Sequence, residues 1–161
     1  MNRLNVLRSD DPATTEAYGA SLGRVLRAGD LLALNGPLGA GKTCLVRGIA
    51  AGAGGGGSTV RSPTFILHQP IRCAHLTLHH VDLYRLGPAP SLDFLDLDNA
   101  LEEGAVVVEW AEYADLSRLV TATLSLDAPV NMHHRRELRM HEGAAAHLAE
   151  AWAAMHVSGR P

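Results

Sequence analysis

An α/β fold, with helices packed on a sheet of buried strands, follows from three features of the sequence. Two short apolar runs, Leu31-Leu32-Ala33-Leu34-Asn35 and Ala105-Val106-Val107-Val108-Glu109, are bounded by turn residues, as fully buried strands are. Segments with apolar residues at helical spacing alternate with the strand-like runs. The first run passes directly into a glycine-rich loop, Gly36 to Thr43, and then into a helical pattern.

Taken in order, residues 3–7 read as a short edge strand. Asp11 is placed to N-cap a helix, with Pro12 at its first position. Tyr18, Leu22, Val25 and Leu26 carry that helix to about Arg27, where Ala28-Gly29-Asp30 ends it. Strand 31–35 and the glycine-rich loop follow, and Leu45, Val46 and Ile49 continue as a helix beginning near Lys42. Gly52 to Thr59 holds five glycines and reads as a flexible loop. Phe65 to Gln69 and His75 to Asp82 are strand-like, and His75-Leu76-Thr77-Leu78-His79 alternates polar with apolar. Gly87 to Pro90 is a turn. Ser91 to Gly104 is acidic, with Leu92, Leu95 and Leu101 spaced for one or two helices. After strand 105–109, Leu119 to Leu126 and Arg136 to His141 read as two strands joined through Pro129-Val130-Asn131. Gly143 to His156 reads as an Ala-rich helix. There is no internal repeat and no linker composition, so residues 1–161 are expected to form one domain.

Bulk properties narrow the function. Apolar residues are 47% and charged residues 19% of the chain, an ordinary balance for a water-soluble protein. A formal charge of -3 is a poor footprint for gripping nucleic acid directly. The two cysteines, Cys44 and Cys73, suggest a reduced compartment rather than a disulfide framework. No run approaches the roughly 18 apolar residues of a membrane span, and the first residues lack a leader pattern, so a cytoplasmic location is expected.

The loop carries the chemistry. Gly36-Pro37-Leu38-Gly39-Ala40-Gly41-Lys42-Thr43 matches G-x-x-x-x-G-K-[ST], the phosphate-binding loop of P-loop NTPases. Its glycines let the backbone turn tightly and aim N–H groups at phosphate oxygens. The following helix adds its positive end. Lys42 is suited to place a compact charge on the β- and γ-phosphates, and the Thr43 hydroxyl to ligate Mg²⁺. Lys42 is also the single lysine among 14 basic residues. A guanidinium is broad and forked, whereas an ammonium fits inside a closed cradle.

Such a site needs a carboxylate near the metal, at the C-terminal end of a core strand. Glu109 ends Val106-Val107-Val108 and is the first candidate; a surface salt bridge is its alternative. Asp82 ends the alternating strand and is the second; an ion pair with Arg85 is its alternative. The adjacent pairs His79-His80 and His133-His134 would point to opposite faces of a strand, which argues against a histidine metal site. Ser62-Pro63-Thr64-Phe65 follows the glycine-rich run and reads either as a switch segment sensing the γ-phosphate or as the start of an edge strand.

Competing P-loop classes are thinned by composition. Guanine recognition through Asn-Lys-x-Asp is impossible, since no lysine exists beyond Lys42. The chain is short for a hexameric motor. A small-molecule kinase stays open, as does a nucleotide-responsive binding module with negligible catalysis.

Four segments in this order, Gly36 to Thr43, Ser62 to Phe65, His80-Val81-Asp82-Leu83-Tyr84-Arg85 and Val108-Glu109-Trp110, resemble the TsaE (YjeE) family of bacterial ATPases of tRNA threonylcarbamoyladenosine biosynthesis. The resemblance covers nearly the whole chain. It implies a P-loop NTPase with a mixed, partly antiparallel sheet flanked by helices. It implies ATP/ADP and Mg²⁺ as ligands, and TsaD and TsaB as partners, with tRNA reached only through that complex and no membrane involved. Carried over by position, Thr43 and Glu109 would bind Mg²⁺, and Lys42, Asp82 and Glu109 would serve hydrolysis. Thr64 would belong to the switch, and Thr15, Trp110 and Arg136 would lie near the nucleotide. The sequence departs from the family at Pro37, where an acidic residue is usual, and in the richness of its Gly54–Gly57 run.

Overall fold

A computed structural model describes residues 6–56, 60–61, 67–130, 132 and 134–158. Among these residues seven strands form one mixed sheet: β1 (Val6–Ser9), β2 (Leu31–Asn35), β3 (His68–Arg72), β4 (Thr77–Asp82), β5 (Gly104–Glu109), β6 (Ala122–Asp127) and β7 (Arg136–Met140). Their spatial order is β1-β7-β6-β2-β5-β4-β3. The central strands β6, β2, β5 and β4 run parallel, while β1 on β7, β7 on β6 and β3 on β4 are antiparallel. The expected mixed sheet is what the chain forms, with the short first strand at an edge. Pro70, which has no N–H to give a ladder, sits in the opposite edge strand β3.

Among the described residues four α-helices complete the layers: α1 (Pro12–Val25), α2 (Lys42–Gly52), α3 (Leu97–Glu103) and α4 (Ala146–Ser158). One face of the sheet packs with α1, α2 and α4 through Leu22, Leu45, Ile49, Leu148 and Trp152 against Leu34, Val107 and Leu124. The other face packs with the 83–120 segment through Leu83, Leu95, Leu97 and Leu116 against Leu31, Val106 and Val108. In β2 and β5 alternate residues supply the two faces, which is why these two strands read as unbroken apolar runs. Asp11 caps α1 as expected, its Oδ1 accepting from the Thr14 N–H at 2.8 Å. Asp30, buried beneath the end of α1, accepts from the Arg27 N–H and from His147 Nε2, each at 2.8 Å, and so ties α1 to α4.

Boundaries differ from expectation at β1, at β3, which runs to Arg72 past the expected Gln69, at β6, which begins at Ala122 rather than Leu119, and at the glycine run. β1 runs past the expected end at residue 7 to Ser9, because its register on β7 extends through Ser9 opposite Arg136, and residues 3–5 of the expected strand lie outside the described residues. The glycine run was expected to be loop from Gly52 onward, yet Gly52 ends α2, and Gly54 and Gly55 cap it. Gly54 takes φ +83, with Gly54 N–H donating to Ala51 O and Gly55 N–H to Ala50 O. That pair of bonds is a glycine-based helix stop. Residues 57–59 lie outside the described residues.

The two helices nearest the loop cross on glycine. Gly19 and Gly23 of α1 face the backbone of residues 45–53, and Gly48 and Gly52 of α2 face the backbone of Glu16 and Ala20. A Cβ on Gly48 would stand 2.0 Å from Glu16 O, and one on Gly19 2.3 Å from Leu45 O. No side chain fits there, so α1 lies directly against the helix that leaves the phosphate loop.

Candidate functional site

The site is built at the C-terminal ends of β2, β5 and β4, where open α/β sheets bind ligands. β2 ends at Asn35 and the chain turns at Gly36, whose φ of +138 and approach to Leu126 O, 2.2 Å from a hypothetical Cβ, admit only glycine. Gly39 and Gly41 also take positive φ, and α2 starts at Lys42. The first N–H groups of α2 have no intrahelical acceptor, and the helix dipole adds positive potential there. The loop thus presents donors and a cation to the same space.

That space is a cavity of about 440 Å³ lined by Leu38 to Cys44 together with Arg47, Asp82, Tyr84, Glu109 and Trp110. Lys42, buried at 5% exposure, donates from Nζ to the carbonyls of Gly36 and Pro37, the latter at 2.9 Å. The same amine lies 4.0 Å from the centroid of the Trp110 ring. Burial pushes the Lys42 amine below the ordinary lysine range, opposed by the negative charges of Glu109, Glu112 and Asp82. Trp110 is held by Tyr84 and Tyr113, with ring centroids at 4.8 and 5.4 Å.

The register of β4 on β5 sets Asp82 opposite Glu109. Both are buried, at 2% and 3% exposure. Asp82 Oδ1 accepts from the Tyr84 N–H at 2.9 Å, an Asx turn that leads the chain out of β4. The Thr43 hydroxyl donates to Glu109 Oε1 at 2.8 Å, with Oε2 at 3.1 Å. A hydroxyl and a carboxylate in contact at the cavity wall are the hard oxygen donors that suit Mg²⁺.

A second cavity of about 200 Å³ adjoins the first and shares Gly39, Gly41 and Cys44 with it. Thr15 and Arg136 line this one, with Asp10, Asp11, Pro12 and His134. The Thr15 hydroxyl is spent inward on Ser9 Oγ at 2.7 Å. Residues 38–43, Asp82, Glu109 and Trp110 are therefore brought together at one cavity, and Thr15 and Arg136 at its neighbour. Gly36 and Pro37 lie beneath the loop and contribute the carbonyls on Lys42. Thr64 lies outside the described residues.

Two residues at the site, Glu112 and His80, were not among the candidate site residues of the sequence. Glu112 Oε1 accepts from the Gly36 N–H at 3.2 Å and anchors the start of the loop. His80 is fully buried and contacts Glu109 at 2.8 Å. As expected for neighbours in a strand, His79 points to the opposite face, where His68 Nε2 lies 2.9 Å from His79 Nδ1. The clue to His80 was its spacing two residues before Asp82, which puts both on one face.

A profile described as threonylcarbamoyl adenosine biosynthesis protein TsaE matches residues 9–138. The chain belongs to the TsaE family. The resemblance drawn from the four segments is borne out. Among relatives named tRNA threonylcarbamoyladenosine biosynthesis protein TsaE, that of Treponema pallidum is 37% identical over 127 residues, 77% of this chain and 90% of its own length. That of Mycobacterium leprae is 47% identical over 105 residues, 60% of this chain and 65% of its own length. The chain spans just under two-thirds of the mycobacterial relatives it matches. The crystal structure of Bacillus subtilis YdiB shares the fold, with a TM-score of 0.70, 24% identity, and 94% and 95% of the two chains covered. Among the described residues no helix is long and apolar enough to cross a membrane.

Proposed function

We propose that this chain, as one P-loop ATPase domain, binds and hydrolyses ATP as an accessory protein of the TsaB–TsaD complex. That complex would install N6-threonylcarbamoyladenosine at the adenosine 3′ of the tRNA anticodon, in the cytoplasm. The observation that carries the ATPase reading is the meeting of Lys42, Thr43, Asp82 and Glu109 at one cavity under the glycine loop. The family carries the pathway.

The loop and the α2 N-terminus would hold the phosphates, and the adjoining cavity, with Thr15 and Arg136, would take the nucleoside. Thr64 is assigned to the switch by resemblance alone. Thr43 and Glu109 would hold Mg²⁺, which when bound neutralises phosphate charge. Asp82, buried and fixed by its Asx turn, would orient the attacking water. Attack forms the bond from the water oxygen to the γ-phosphorus and breaks the bond to the β–γ bridging oxygen, releasing ADP and phosphate. Lys42 would offset charge on the phosphate oxygens.

Phosphate release measured with and without TsaB and TsaD tests this. Slow release alone and faster release with both partners is expected, and Asp82→Asn should abolish both. Release unchanged by the partners would sink the accessory role. Turnover-level phosphate transfer to a small metabolite would favour a kinase instead.

A further inference from the structure

We infer that His80 is a positioning residue that holds the Glu109 carboxylate in its metal-binding orientation; the inference rests on the proposed Mg²⁺ role of Glu109. The parallel register sets His80 beside Val107 and Asp82 beside Glu109, so Leu78, His80 and Asp82 share a sheet face with Ala105, Val107 and Glu109. His80 is 0% exposed and Glu109 3% exposed. His80 Nε2 lies 2.8 Å from Glu109 Oε1. An ionised carboxylate oxygen only accepts, so the hydrogen in this contact belongs to Nε2. The other ring nitrogen, Nδ1, is buried with no protein partner among the described residues. The imidazole is therefore not one node of a wider network, and its polar contact is with Glu109.

Thr43 is the other donor to Glu109, at 2.8 Å to the same oxygen. Thr43, however, is itself a proposed metal ligand and faces the cavity. It cannot serve as the fixed support of its fellow ligand. His80 lines no part of that cavity and approaches the carboxylate from within the sheet, between strand neighbours that do not move independently. Supports of this kind, one bond behind a ligand, typically change metal affinity or activity by roughly 10- to 100-fold when removed.

The alternative is that His80 only packs, a buried histidine satisfied by a nearby carboxylate. Amide isosteres separate the two. The Gln side-chain nitrogen reaches close to the position of imidazole Nε2, whereas that of Asn reaches the position of Nδ1. Full-length wild type, His80→Gln, His80→Asn, His80→Leu and Glu109→Gln are compared by calorimetric titration with ADP, in EDTA and across a Mg²⁺ series, alongside thermal melting.

In His80→Asn and His80→Leu, the Mg²⁺ concentration giving half of its effect on ADP affinity should rise roughly 10- to 100-fold. ADP affinity in EDTA should stay at the wild-type value. His80→Gln should recover most of the wild-type Mg²⁺ response. A Mg²⁺ response equal to wild type in His80→Asn, whatever the melting temperature, overturns the inference. So does equal loss in His80→Gln and His80→Asn. If His80→Leu does not fold, the comparison of the two amide variants decides. A wild type whose ADP binding ignores Mg²⁺, or a Glu109→Gln variant that responds normally, refutes instead the metal role of Glu109, and the two failures are distinct.

Discussion

Lys42 stands apart from every other cation in the chain, being the single lysine beside thirteen arginines. Its amine sits between two loop carbonyls and an indole face, a space that admits a point charge and not a planar fork. A lysine-reactive ATP analogue should therefore label one internal residue, Lys42, and excess ATP should protect it. Peptide mapping by mass spectrometry reads the result; labelling indifferent to ATP would contradict nucleotide binding in this loop. At this scale the sequence was legible where chemistry demands one residue type in a fixed motif, as for Gly36, Lys42 and Thr43. Asp82 and Glu109 were legible as strand ends. His80 and Glu112 were not, because each acts by contact with a residue 29 or 76 positions away in the chain, and only strand register or a turn brings them there.

The elements that carry these residues are located by glycine as much as by apolar periodicity. A glycine-to-alanine change in an open helix gains about 1 kcal/mol from propensity. At the α1–α2 crossing the sign reverses, since a Cβ on Gly48 would lie 2.0 Å from Glu16 O. Gly48→Ala is expected to lose about 1–3 kcal/mol through overpacking. Chemical denaturation checks it, and a more stable variant would show that the helices part readily. The same crossing explains why Gly52 reads as loop in the sequence and yet ends α2. Its lack of a side chain looked like flexibility in the sequence, whereas the structure uses it for contact with α1. β2 and β5 are legible nearly to the residue because burial on both faces leaves an unmistakable apolar run, whereas β6 begins at Ala122, later than the expected Leu119. The two edge strands run past their expected ends, to Ser9 and Arg72, because half-buried pairing leaves a weaker pattern.

For the molecule as a whole, stability should depend on pH through the face opposite the phosphate loop. Burial pushes the imidazoles of His68 and His79 down, with nearby His80 adding to the effect at His68, His68 adding to it at His79, and Glu103 opposing at His79. The folded chain keeps them neutral while the unfolded chain takes up protons below about 6.5. Their contribution is thus complete above that value and declines as the pH falls through it toward the lowered folded-state values. Melting temperature should drop between about pH 7.5 and 5.5, and His68→Gln should flatten the drop. A profile unchanged by that substitution would assign the dependence elsewhere. The family and the α/β architecture were legible across the whole chain because four motifs keep their order. The crossing of helices and the pairing of histidines were not, since both depend on which faces meet. The two tryptophans are divided between those faces and the core in a useful way. Trp152, on the core-facing side of α4, is sealed at 2% exposure, whereas Trp110 lies under the Lys42 amine at the mouth of the loop. The protein thus carries two optical channels, one that follows whether the core is intact and one that follows the charge above the phosphate cradle.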